Sequence, residues 1–480
     1  MRHLLVLGLL AACATELPAD DEYPFPTGEE GAGGKSDAIT NLPVLMQFPQ
    51  GAVFTQEIDH PVQPGASIGT FQQRYWYSTE FAKSADAPVL FYFCGEAACD
   101  GAYALSMADA ALSLNAAVVV LEHRYYGTSV PFADKTAANM KYLTIHNALE
   151  DAAAFETFAK TSLPLKGPWI AVGGSYPGML AAFYRAKHPE LVVGAWASSA
   201  PIDVRLSFSG YDAIAANAMG PTCTLLFQQV LTKAGAIYDD PAQRDAFATA
   251  VFGGAAPATK VEFLNWFSYY AEGAAQYGKQ RRLCAALLQE ADPMDGFVGY
   301  LHPPLAGTDE TTPPIGPTDP ASTGPAPRGA IVSPLVVPGL DNFEGSEWFY
   351  QVCTEVGFYQ IHNFDRTQSV MSDLVTERYW ADQCTQFVGT VPAIEATRAA
   401  YVDELYRGEV TNVLFVNGSL DPWSALSPTE STPPAGLTTL VVKTGSHCED
   451  LAALTPDSIL GVFKAHKTFY DLAKTWTATP

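Results

Sequence analysis

Six short apolar runs, each ending in glycine or a polar turn, limit what this chain can become. They are Val89–Phe93 (VLFYF), Ala117–Leu121 (AVVVL), Trp169–Val172 (WIAV), Val192–Trp196 (VVGAW), Val413–Val416 (VLFV) and Leu437–Val442 (LTTLVV). Continuous apolar stretches of this length suit strands buried on both faces, as in a parallel sheet covered by helices. Helical patterns lie between them. After the turn GGSYPG, residues Met179, Ala182, Phe183 and Ala186 recur at helical spacing. Near the C-terminus, Thr455 and Pro456 offer an N-cap and a first-turn proline, ahead of Ile459, Phe463 and His466 on one face. Strands alternating with helices predict an α/β domain with crossover connections.

The stretch 202–400 breaks that alternation. It has few β-branched runs, and TCTLLFQQVLTKA reads as helix, so it is expected to be a mainly helical cap insertion. It would separate a first part of the α/β domain, 43–201, from a second, 401–480. Within the insertion, residues 306–329 are rich in Pro, Thr and Gly and read as a loop excursion.

The chain opens with MRHLLVLGLLAACATE, a charged start, a short apolar run and small residues. That is the layout of an export signal, too short to span a bilayer as a helix. Leu10-Ala11-Ala12-Cys13 is similar to a bacterial lipobox, which makes 1–13 a signal peptide and Cys13 the lipidated residue. A plain cleaved signal is the alternative. Residues 14–42, polar and rich in Gly, Pro and acids, read as a flexible tether. The expected location is therefore extracytoplasmic, lipid-anchored to a bacterial envelope membrane or secreted, with membrane contact only through the anchor. A formal charge of −24 leaves no basic surface to replace phosphate counterions and excludes nucleic acid as a partner.

Of the eight cysteines, Cys13 belongs to the leader, leaving Cys94, Cys99, Cys223, Cys284, Cys353, Cys384 and Cys448. Export permits disulfides, and the odd number leaves at least one thiol free or paired between chains. None of the spacings reads as a zinc site, and no metal or other cofactor is expected. Pairing cannot be deduced from spacing; Cys223–Cys284 and Cys353–Cys384 are the expected bridges.

A serine hydroxyl becomes a nucleophile when a base takes its proton and a third group orients that base. Ser175 follows an apolar strand and two glycines and precedes a helix. That context fits a sharp elbow that lifts the hydroxyl clear and aims the next backbone N–H at a developing oxyanion. The usual elbow is Gly-x-Ser-x-Gly; here Pro177 takes the last position and Gly178 follows. Asp421, in VNGSLDPW, and His447, in KTGSHCED, each come just past a later strand. The chain order Ser, Asp, His is that of α/β-hydrolases, at the end of the sheet where a parallel fold presents its loops.

FQQRYWYSTEF, LEHRYYGTSVPF, VGGSYPGMLAAFYRAKHPE, WASSAPI, FYQVCTEVGFYQ, VNGSLDPWS and GSHCEDL together closely resemble the prolyl carboxypeptidase, dipeptidyl peptidase II and thymus-specific serine protease family. The likeness runs from Gln56 to Leu472. It implies an α/β-hydrolase fold with a mainly helical cap, acting as a serine exopeptidase on short peptides, often beside proline. It implies Ser175 as nucleophile, Asp421 as orienting acid and His447 as general base. The backbone N–H of Tyr176 would be one oxyanion donor, and one from the Gly95-Glu96 loop the other. Family members often pair, which leaves a homodimer open.

Glu96 would meet a substrate's amino terminus in an aminopeptidase, or else is a solvated loop acid. Trp423 lines the pocket or packs in the core. His123, with Arg124 and Tyr125, and the pair Asp59-His60 read as structural, and Cys448 as a packing or disulfide residue. The expected activity is release of di- or tripeptides from the amino end, with proline at P1. A Pro-Xaa carboxypeptidase of the same family is the alternative, and an esterase or an inactive binding protein would use the same fold.

Overall fold

All six apolar runs are strands of one eight-stranded sheet, ordered β1-β2-β4-β3-β5-β6-β9-β10. The structure, a computed structural model, describes residues 51–301 and 346–478 apart from 62–64, 66 and 430–432. The leader with Cys13, the tether at 14–42 and the loop at 306–329 lie outside the described residues. Strands β3 (Val89–Phe93), β4 (Ala117–Leu121), β5 (Trp169–Gly174), β6 (Val192–Ser198), β9 (Val413–Gly418) and β10 (Thr438–Val442) run parallel. Strands β1 (Ala52–Glu57) and β2 (Thr70–Ser78) add an antiparallel edge, β2 pairing with β4. This strand order, with the second strand reversed, is that of the α/β-hydrolase fold.

Helices α1 (Ala108–Leu114), α2 (Ile145–Ser162) and α3 (Tyr176–Lys187) are the crossovers between successive parallel strands. Their apolar faces cover the sheet on both sides. Phe91, Val119, Trp169 and Ala171 point to α2 and α3, meeting Phe155, Phe183 and Tyr184. Leu90, Val118, Ile170, Val172 and Trp196 point to the opposite face, where α1 packs. Each large apolar side chain fully buried this way contributes roughly 1.5–3 kcal/mol.

Strand β3 pairs with β4 on one side and β5 on the other, so the winding direction reverses there. Ligands of open α/β sheets bind at the carboxyl ends of strands flanking such a reversal. The loops leaving β3 and β5, which carry Gly95 and Ser175, flank it here.

Between β6 and β9 the chain builds a helical layer around Phe227, Phe263, Phe267 and Phe297, and a short parallel ladder of β7 (Arg205–Phe208) with β8 (Gly357–Gln360). Helix α4 (Lys260–Gln276) opens with a capping box between Thr259 and Glu262, which satisfies two otherwise unpaired N–H groups. Its C-terminus reaches the rim of the sheet. Both expected disulfides form, Cys223–Cys284 inside this layer and Cys353–Cys384 near β8. A third, Cys94–Cys99, closes the loop after β3, and Cys448 is free.

The last helix, α5 (Leu460–Ala478), starts later than the sequence suggested. The Thr455 N–H bonds Ser458 Oγ at 2.9 Å and the Ser458 N–H returns to the Thr455 carbonyl, so Thr455 and Pro456 close a turn instead of capping the helix. Among the described residues no helix is long and apolar enough to cross a bilayer.

Candidate active site

Ser175 stands between the last residue of β5 and the first of α3, with φ 64° and ψ −133°. A non-glycine residue held at positive φ costs on the order of 1–3 kcal/mol and persists only where its surroundings fix it. Here the Ser175 N–H bonds the Ser198 carbonyl at 2.9 Å and its carbonyl accepts from Met179 N–H at 3.0 Å. The turn is tight enough that a Cβ on Gly178 would lie 2.6 Å from the Ser198 carbonyl oxygen. That close approach explains a glycine at 178 where the usual elbow has one at the position of Pro177.

Pro177 has its own counterpart. A Cβ on Gly95 would lie 2.3 Å from Pro177 Cγ, so the disulfide-closed loop after β3 rests directly on the first turn of α3. This puts the Gly95 backbone beside the N-terminus of α3, where Tyr176 N–H is among the donors a helix start leaves without intrahelical partners. Tyr176 itself is wedged behind the elbow. Its hydroxyl meets Gln351 Nε2 at 2.7 Å and His123 Nε2 at 3.1 Å, and its ring lies 5.3 Å from Trp348.

Asp421 follows β9 and is fully buried. Its Oδ1 caps the short turn Pro422–Leu426 by accepting the Trp423 N–H at 3.0 Å. Both carboxylate oxygens face His447 Nδ1, at 2.9 and 3.0 Å. That contact leaves Nε2 directed elsewhere, the arrangement in which an imidazole serves as a base. Burial opposes a charge on His447, but the attraction of Asp421, joined by Cys448, outweighs it and holds the imidazole well above its usual 6.5.

The His447 loop is held from two sides. Its N–H bonds the carbonyl of Gln276, the last residue of α4, at 2.9 Å, and Cys448 N–H bonds Ser199 Oγ at 2.9 Å. A Cβ on Gly174 would lie 2.8 Å from Cys448 Sγ, so the residues next to Ser175 and His447 are in contact. Among the described residues the Ser175 hydroxyl makes no hydrogen bond; catalytic contacts commonly close only when substrate binds.

Glu96 is partly open to solvent, and burial raises its carboxyl against the pull of His447. It lies within electrostatic reach of Tyr126, Tyr176 and Tyr277, which places it at the same rim. Trp423 is 8% exposed and packs on Phe208, Tyr211 and Phe358, its Nε1 bonding Gln276 Oε1 at 3.3 Å. It joins the cap to the Asp421 turn. His123 is the structural residue the sequence suggested, and burial pushes its imidazole down to about 4. Arg124 bonds Asp151, which also takes His60 Nε2 at 2.9 Å. Among the described residues no group of three or more His, Cys, Asp or Glu is arranged to hold a metal ion.

The family model for serine carboxypeptidase S28 matches residues 56–234 and 340–468, spanning β2 to β6, β9, β10 and all three residues of the Ser, Asp, His set. The chain belongs to this family. Its S28 relatives include the thymus-specific serine protease of Mus musculus, 29% identical over 83% of this chain and 82% of that one. The probable serine protease EDA2 of Arabidopsis thaliana is 30% identical over 79% of this chain and 76% of its own. The lysosomal Pro-X carboxypeptidase of Homo sapiens is 28% identical over 88% and 87%. As an S28 member the protein is a serine peptidase, a hydrolase on the α/β-hydrolase fold. What sequence reasoning missed were the supports: Gln276 from the cap, whose carbonyl takes the His447 N–H, and, beneath the loops, Ser198, Ser199 and Asp450, the last bonded by the Ser198 hydroxyl. Ser198, Ser199 and Asp450 stood in the motifs ASSAP and GSHCED, but nothing local marks them as neighbours of the site.

Proposed function

We propose that this S28 peptidase cleaves short peptides after proline by an acyl-enzyme route carried by Ser175, His447 and Asp421. Ser175 Oγ attacks the carbonyl while His447 Nε2 takes its proton, and Asp421 stabilises the imidazolium that results. The N–H groups of Tyr176 and the Gly95 loop receive the oxyanion. His447 then gives its proton to the leaving amine, and water, deprotonated by the same nitrogen, releases the acyl fragment. The observation that carries this reading is the grip of both Asp421 oxygens on His447 Nδ1, beside a serine held at positive φ.

Release from the amino end, as di- or tripeptides, is the direction we favour. Glu96 is an acid at the rim whose carboxyl burial raises, so an ammonium group of a substrate placed beside it would offset the cost of its charge. The Pro-X carboxypeptidase relative favours the opposite direction. We place the enzyme outside the cytoplasm, on the support of the three disulfides among the described residues. A fluorophosphonate should label the protein and fail on Ser175→Ala, and mass analysis of products from proline-containing peptides should give amino-terminal di- or tripeptides. Loss of single carboxyl-terminal residues would reverse the direction. Turnover of nitrophenyl esters with no amide cleavage would remove the proline-peptide reading.

A further inference from the structure

We propose that Ser198 and Asp450 are positioning residues that set the separation of Ser175 from His447. The inference rests on the triad proposed above. Ser198 ends β6 and is used from both sides. Its carbonyl holds the Ser175 N–H at 2.9 Å, and its hydroxyl donates to Asp450 Oδ1 at 2.5 Å. Asp450 is three residues beyond His447, in the single turn Glu449–Leu451, which the Leu451 N–H closes onto the Cys448 carbonyl at 3.0 Å. One side chain and one carbonyl of the same residue therefore tie the nucleophile's turn to the base's turn. Both residues are buried, with Ser198 at 0% and Asp450 at 2% exposure.

The strut is braced on every side. Trp196 Nε1, two residues back on β6, donates to Asp450 Oδ2 at 3.0 Å. The Asp450 carbonyl meets His466 Nε2 of α5 at 2.7 Å, and His466 Nδ1 meets Asp109 Oδ2 of α1 at 2.7 Å and the Tyr470 hydroxyl at 3.0 Å. Next door, Ser199 takes the Cys448 N–H, and its own N–H bonds the Val416 carbonyl of β9 at 2.7 Å. On Asp450's own turn, Glu449 is occupied by the Ser446 N–H and hydroxyl at 2.7 and 3.0 Å. Neither the Ser198 hydroxyl nor the Asp450 side chain is needed to make the sheet, since backbone pairing, that of Ser198 included, already joins β6 to β5 and β9. Among the described residues no Lys, Arg or His forms a salt bridge with the Asp450 carboxylate; a buried acid held this way is a costly fastening for a loop, and its place between the two reacting turns supplies the reason for it.

The carboxylate form accepts both bonds at once. Burial pushes the Asp450 carboxyl up to about 6, opposed by Ser198, His466 and Trp196. Protonation turns one oxygen into a donor and weakens the strut, so positioning adds its own acid loss below that of His447.

The test is the rate of fluorophosphonate labelling, which reports Ser175 activation without needing the natural peptide. Wild type, Asp450→Asn, Ser198→Ala and the double variant are compared between about pH 5 and 8, with Ser175→Ala as blank. A displacement of about 1 Å at a reacting group costs ~10²-fold, so each single variant should label ~10- to 100-fold more slowly. The double variant should be no slower than Asp450→Asn, as expected of two residues in one link. On the peptide substrate kcat should fall while KM stays within about twofold. Wild type should lose rate more steeply than one proton allows below about pH 6, and Asp450→Asn should not.

Labelling of Asp450→Asn at the wild-type rate and with the wild-type pH profile overturns the proposal. So does a lowered melting temperature with an unchanged rate on the folded fraction, which would make the pair merely structural. Failure of wild type itself to label would remove the triad first.

Discussion

The ring of Pro177 occupies the space a side chain on Gly95 would need, with Cγ and Cδ at 2.3 and 2.7 Å from the position of its Cβ. Gly95→Ala must therefore lift the loop after β3 off the elbow. We expect kcat to fall ~10²- to 10³-fold, the effect of losing one oxyanion donor. Adding Pro177→Ala removes the obstructing ring and should restore part of the loss. Steady-state kinetics on a proline-coumarin substrate check both.

Asp421→Asn should lower kcat by ~10³- to 10⁴-fold, because the amide can no longer stabilise the imidazolium or impose the tautomer. The pH profile gives a second reading of the same contact. His447 must be neutral to act as base, and Asp421 raises its affinity for a proton above the usual 6.5 despite burial. Activity of the wild type should thus rise with pH through a midpoint above 6.5. In the variant burial acts without that attraction, and the midpoint moves down.

Glu156 lies on α2, fully buried, with the Tyr184 hydroxyl at 2.8 Å and Lys160 Nζ at 2.6 Å. Burial pushes its carboxyl up to about 7, against the pull of Lys160. For an acid whose folded value is raised, the folded state holds the proton more tightly than the unfolded one. That contribution is fully present below about 4.5 and is lost as pH rises through about 7, roughly 3 kcal/mol in all. Denaturant melts of wild type and Glu156→Gln should diverge over this window, the glutamine variant gaining relative to wild type as pH rises.

Cys223–Cys284 closes a sequence separation of 61 residues inside the cap. Replacing both cysteines by serine should cost about 4 kcal/mol on chain-entropy grounds. Because α4 of that cap ends on the His447 loop, turnover should decline at lower temperature than in wild type. Thermal melts paired with residual activity measure the two effects together.

The sheet was legible because its strands are buried on both faces. Val89–Phe93 and Ala117–Leu121 carry no charged residue and only aliphatic and aromatic side chains, so each run marked its strand from end to end. Strand β2 was not, because TFQQRYWYS interrupts its buried residues with exposed Thr70 and Gln72 and half-buried Arg74. The four-residue strands β7 and β8 are too short to leave a period. At the site, Ser175, Asp421 and His447 were visible since each follows a strand in the order the chemistry uses. Gln276 and Asp450 were not: one acts through its backbone carbonyl, which any residue has, and the other through a partner 252 positions away.

The bond from His447 N–H to the Gln276 carbonyl has an evolutionary edge. The helical layer and the residue proposed as general base share one fastening. Substitutions that reshape the mouth by sliding α4 would also tilt the imidazole, so new selectivity reached by that path comes with slower turnover. Redesign of what this enzyme accepts should leave the terminus of α4 in place and work on the helices behind it.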